Sequence, residues 1–147
     1  MNCRLFQAYA QVRPIVPHEV QCQVTVTHAL SDVVITVIAD SGFTDELILE
    51  ASDVVALGLG EPVSSVSALM ADESGCQYYT YSPVTLTIEL SDGTWTSASL
   101  IPWVAVNTTS VVGTGNQPRL LGHNALAKLD LKVDCAGHKL CRRVHRV

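Results

Sequence analysis

Charge is scarce in this chain. Only 16% of its 147 residues are Asp, Glu, Lys or Arg, and nine basic residues against fourteen acidic ones leave a net charge of −5. Aromatic residues make up 5% and no basic stripe is interleaved with them, so the electrostatic footprint of a nucleic-acid-binding body is missing. Long apolar runs are missing too. The longest are about eight residues, far short of the roughly twenty that a membrane-spanning helix needs, and the opening "MNCRLFQAYAQVRP" has no apolar core of signal-peptide length. A soluble, cytoplasmic protein without membrane or nucleic-acid partners is expected. The cysteines, Cys3, Cys22, Cys76, Cys135 and Cys141, are odd in number and not spaced as a compact disulfide framework. That usage fits a reducing compartment, with at least one thiol unpaired.

What the chain does have is hydrophobic mass, 48% of its residues. At this length one domain is the economical reading, burying roughly two thirds of the surface that the unfolded chain exposes. Residues 1–20, with Pro14 and Pro17 close together, read as an extended arm, because proline removes a backbone donor and biases its predecessor away from helix. Residues 21–141 form the body, and residues 142–147 a basic tail.

Within the body the period is mostly two. "QCQVTVTHAL" alternates polar and apolar residues, "SD" is expected to turn, and "VVITVIAD" returns as a more fully buried strand, which makes a hairpin. "FTDELILE" reads as a short strand. "ASDVVALGLG" reads as a helix over 51–58, with Ser52 as its expected N-cap and Gly58 or Gly60 as its stop. "VSSVSALMA" and "YYTYSPVTLTIEL" flank the polar turn "DESG", predicting a second hairpin with its tip at Asp72 to Gly75. Asp92-Gly93 is the strongest short hairpin signal in the chain and leads into "TWTSASLIPWVAV". A Gly- and Thr-rich loop, the run "RLLG", a short helix over 123–129 and a terminal hairpin turning at Ala136 and Gly137 complete an all-β chain with two short helices.

One stretch asks for an explanation. "VVITVIADSGFTDEL" drives an apolar strand into Asp40, followed at once by Ser41 and Gly42, although carboxylates are rarely buried without a partner. Three features belong together: this strand ending in Asp-Ser-Gly, a mid-chain hairpin with a polar tip, and "LLG" entering a short helix about eighty positions later. That order resembles the retropepsin-like aspartic proteases, the single-lobe clan of retroviral proteases and small bacterial and archaeal relatives. The resemblance runs from about Gln21 to Cys141 and rests on "IADSGFTDELIL", "ASDVVALGLG" and "PRLLGHNALAKLDLKVD". It implies a closed, barrel-like β fold assembling as a two-fold dimer.

The resemblance also assigns roles. Asp40 would be the catalytic acid. Ser41 would fix the loop by bonding across to the partner loop, and Gly42 would let its N–H approach the carboxylate. Leu120, Leu121 and Gly122 would back the loop as an apolar wall, with Asn124 where these families commonly place Asp or Asn. The hairpin around Asp72 and Gly75 would be a flap, and Tyr78, Tyr79 and Tyr81 would contact an extended peptide substrate. Metal-free peptide hydrolysis needs two carboxyls sharing one proton. Only one Asp-Ser-Gly is present, so the second acid would come from another copy of the chain, an isologous homodimer. The expected function is a cofactor-free aspartic endopeptidase; the alternative is a catalytically inactive dimer of the same fold, acting as a peptide-binding or assembly module.

Three rival readings are weaker. Cys135, His138, Cys141 and His145 offer an S₂N₂ set, but their spacing matches none of the established zinc motifs, and Cys135 and Cys141 read as facing thiols across a hairpin, so no metal is expected. His28 has no acid beside it and reads as structural. Ser41 lacks the Gly-x-Ser-x-Gly elbow of a serine nucleophile.

Overall fold

The computed structural model describes residues 5–6, 20–69, 75–106, 119–134 and 139–143. In chain order its strands and helices are Leu5–Phe6 (β1), Val20–His28 (β2), Ser31–Ala39 (β3), Leu47–Leu49 (β4), Ala51–Leu57 (α1), Ser64–Leu69 (β5), Gly75–Thr80 (β6), Val84–Glu89 (β7), Trp95–Leu100 (β8), Pro102–Ala105 (β9), Leu120–Leu121 (β10), His123–Lys128 (α2), Leu131–Asp134 (β11) and Lys139–Arg142 (β12). Among the described residues nine strands form one curled sheet in the order β5-β6-β9-β4-β10-β3-β2-β7-β8, and β1-β12-β11 form a second, smaller one.

Alternation decides which side of the sheet is inside. In β2, Val20, Cys22, Val24 and Val26 are buried, while Gln23 is exposed between them, as a strand with one wet face requires. These apolar residues join Leu86, Ile88 and Leu100 from β7 and β8, Leu126 from α2 and Leu131 and Leu140 from the small sheet in one aliphatic core. Burial pushes the Cys22 thiol up to about 12, so this free cysteine is an inert core side chain.

Several expectations are corrected. The first hairpin turns at Ala29 and Leu30, two residues before "SD": His28 pairs with Ser31, Ala29 has φ 53°, and a positive φ at the first loop residue is the II′ pattern that suits strand twist. "VVITVIAD" is not fully buried but alternates: Ile35, Val37 and Ala39 face the core, while Val34 is 58% exposed. "YYTYSPVTLTIEL" is two strands, because the chain leaves β6 at Tyr81 and Pro83 precedes β7, which pairs with β2 and β8. "TWTSASLIPWVAV" likewise splits before Pro102, β9 crossing to pair with β4 and β6.

Helix α1 starts earlier than Ser52 implied. Glu50 is its N-cap, in a reciprocal capping box with Asp53, and Gly58 ends it in the left-handed conformation at φ 62°, which glycine adopts without a Cβ penalty. His28 is indeed structural, its Nδ1 lying 3.0 Å from the Leu57 carbonyl. In the small sheet Lys132, not Cys135, stands opposite Cys141. Cys141 is disulfide-bonded, so it is not one of two facing thiols. Cys135, His138 and His145 lie outside the described residues, as does Asp72.

Candidate active site

The site grows out of one topological detail. Strand β10 lies between β3, to which it is parallel, and β4, to which it is antiparallel. The chain leaving β3 must therefore arch over the end of β10 to reach β4. That arch is residues 40–46, and the residue beneath it is Gly122. A Cβ at Gly122 would sit 2.2 Å from the Asp45 carbonyl oxygen, 2.6 Å from Phe43 Cδ2 and 2.8 Å from the Phe43 carbonyl oxygen, so no side chain fits there.

Backbone hydrogen bonds lace the arch to the segment below. Ile38 N–H donates to the Arg119 carbonyl at 2.9 Å, Asp40 N–H to Leu121 at 2.8 Å, and Gly122 N–H to Glu46 at 2.8 Å. His123 N–H donates to the Phe43 carbonyl at 2.7 Å and Asn124 N–H to Thr44 at 3.0 Å. The first N–H groups of α2, which have no partner within the helix, are thus satisfied by the loop. Asn124 contributes through its backbone, its side chain being exposed.

Asp40 is half-buried at the crest, with Ser41 and Gly42 exposed beside it. The Gly42 N–H donates to Asp40 Oδ1 at 2.9 Å, and a Cβ on Gly42 would approach that oxygen to 3.2 Å. Among the described residues no donor reaches Asp40 Oδ2, and the Ser41 hydroxyl has no partner. The strand ending on an acid is thereby explained: Asp40 occupies the exit of the strand, with one oxygen fixed and the other open.

The arch also contributes Phe43 to an aromatic pile. Phe43 meets Trp103 edge to face at 5.5 Å between centroids, and Trp103 meets Tyr78 at 5.4 Å. These rings pack with Ile48, Ala105, Val66 and Leu120 as a second apolar cluster, separate from the aliphatic core. Of the three expected flap tyrosines, Tyr78 is buried and Tyr79 is 38% exposed, because alternate residues of a strand face opposite ways; Tyr81, past the end of β6, is buried as well. Burial, then the nearby Glu61 carboxylate, raises the Tyr81 hydroxyl above its ordinary value. Gly75 begins β6, while Asp72 at the expected tip lies outside the described residues.

No family model matches this chain, and no curated protein matches it. In structure it is similar to EIAV protease complexed with the inhibitor HBY-793, with a TM-score of 0.56 and 16% identity over 87% of this chain and 99% of that one. The fold is retropepsin-like. At that identity the likeness speaks for the fold alone.

Two supports of the retropepsin-like loop escaped the sequence reading. Arg119, just before β10, donates to buried Asp53 from Nε at 2.8 Å and Nη2 at 3.0 Å, and pairs with Glu50 at 3.0 Å. The hydrogen bonds to Asp53 are the main reason that its guanidinium is held above its ordinary value. Glu46, where the arch descends, accepts from the Ile101 N–H at 2.7 Å and pairs with Lys128. The available signal was a charged residue beside each apolar run, Glu46 and Glu50 flanking "LIL" and Arg119 preceding "LLG", with no indication of which would meet.

Proposed function

We propose that this chain is an aspartic endopeptidase working as a two-fold homodimer, in which Asp40 of each copy supplies one carboxyl of a dyad. The observation that supports this most directly is the state of Asp40, a strand-exit acid with Oδ1 held by the Gly42 N–H and Oδ2 without a donor among the described residues. A single carboxyl cannot both take a proton from water and deliver one to the scissile carbonyl. Two of them about 3 Å apart cannot both ionise and so share one proton, titrating as a pair. The ionised member then takes the proton of the attacking water, and the protonated member donates to the carbonyl oxygen. Ser41, exposed and without a partner among the described residues, is placed to bond across to the other copy's loop. The hairpin of β5 and β6 closes over an extended peptide, which adds as a strand.

The test is cleavage of a peptide library between about pH 3.5 and 7, with and without pepstatin, alongside the oligomeric state. Wild type should be a pepstatin-sensitive dimer, and Asp40→Asn should lose at least about a thousandfold in kcat/KM while remaining dimeric. Activity that survives Asp40→Asn, or a monomer that cleaves, overturns the mechanism. A dimer inactive as wild type supports the binding-module alternative.

A further inference from the structure

The face of the sheet turned away from the core carries a feature that the dyad does not use. A groove of about 520 Å³ runs across β3, β2, β7 and β8, with Val34 on one side, Trp95 on the other, and Gln23, Thr25, Thr87 and Glu89 between them. It lies six residues up β3 from Asp40, roughly 20 Å along the strand. Trp95 is 59% exposed, an unusual placing for a residue that normally earns its keep by burial. It stands directly across from Glu89 in the β7–β8 ladder, and residues paired in this way have Cβ atoms about 5 Å apart. Neither side chain has an ion pair, hydrogen bond or ring contact among the described residues.

We propose that this groove is a binding site for an arginine side chain presented by a peptide or protein. The lining dictates the class. Among the described residues Glu89 is the only charged one in its lining and the chain as a whole is acidic, so anions are repelled. The polar groups are a carboxylate, hydroxyls and one amide, nearly all able to accept. A guanidinium, with five N–H donors and no acceptor, is complementary to such a set. Its planar head stacks on an indole face, while its aliphatic stem has the apolar Val34 side for contact. Arg142 donates to the Thr94 hydroxyl at 3.1 Å and is not part of the lining. The site is independent of the proposed peptidase chemistry, because no group in it touches the Asp40 loop.

The experiment is a titration of the full-length protein with acetyl-Gly-Arg-Gly-amide, followed by amide chemical-shift changes, against the same peptide carrying citrulline, the uncharged isostere. The arginine peptide should bind saturably, with shifts concentrated on residues 23–25, 87–91 and 95, and citrulline should weaken binding by about tenfold. Glu89→Gln and Trp95→Leu, both at exposed positions, should each weaken it about as much, and Asp40→Asn should leave it unchanged. Equal binding of the citrulline peptide, equal binding of a lysine peptide, shifts located elsewhere, or indifference to both groove substitutions would overturn the assignment.

Discussion

The two sides of the 40–46 arch are built on opposite plans. Beneath it, Gly122 is buried against backbone, the contacts are main-chain hydrogen bonds, and a single methyl group has nowhere to go. On its crest, Gly42 is exposed, its hypothetical Cβ meets only the end of a carboxylate, and Asp40 and Ser41 keep polar atoms without partners among the described residues. The underside is over-determined by the fold and the crest is left to chemistry. The proposed catalytic role of the loop calls for both, since a reacting group gains from being held still and loses from being fully satisfied.

The hardest way to break the comparison is from below. Gly122→Ala puts a carbon inside the contact distance of two backbone carbonyls, neither of which can rotate away as a side chain end would. Overpacking in a well-filled core costs about 1–3 kcal/mol and occasionally more; with backbone on the receiving side, the expected loss is about 3 kcal/mol. Urea unfolding should display it as a lowered midpoint at unchanged slope. A loss below about 1 kcal/mol would mean that the arch is softer than its hydrogen bonds imply.

Next in size is the ion cluster behind the arch. Arg119→Met leaves Asp53, 2% exposed, without its cation. Breaking a buried pair from one side costs about 3–5 kcal/mol, which the partial exposure of Arg119 reduces to about 2–3 kcal/mol here. Adding Asp53→Leu to Arg119→Met should recover part of that loss, since an apolar replacement of both partners removes the stranded charge. A double variant less stable than the single one would show that Asp53 acts mainly as the capping partner of Glu50, a role that leucine cannot fill.

These supports also mark where the sequence was legible. Local patterns were: alternation gave the strands around Val24 and Val37, Asp92-Gly93 produced its turn with Gly93 at φ 84°, and Asp-Ser-Gly with Leu-Leu-Gly pointed to the retropepsin-like fold. What depended on distant partners was not. Nothing near Arg119 reveals that it meets Asp53, sixty-six positions earlier. Three tyrosines in four residues read as a binding surface, yet the strand pleat turns Tyr78 onto Trp103, and Tyr81, past the end of β6, is buried in the core. Ala29-Leu30 has no turn composition, and its turn is imposed by the pairing on either side.

The smallest structural perturbation sharpens the contrast most. Gly42→Ala brings a methyl group to 3.2 Å from Asp40 Oδ1, a distance that a shift of a few tenths of an ångström relieves, and it does so at an exposed position. Stability should change by less than about 1 kcal/mol. The carboxylate, however, must move away from the N–H that fixes it, and small misplacements of reacting groups cost far more in rate than in folding: up to about a hundredfold for 1 Å. The expected result is a melting temperature close to wild type with kcat/KM down about tenfold on any substrate cleaved by the wild type. Because Gly122→Ala is expected to do the reverse, lowering stability first, the two alanine variants separate holding from reacting. If both lower stability and activity in the same proportion, the arch is one mechanical unit and its crest is no freer than its base.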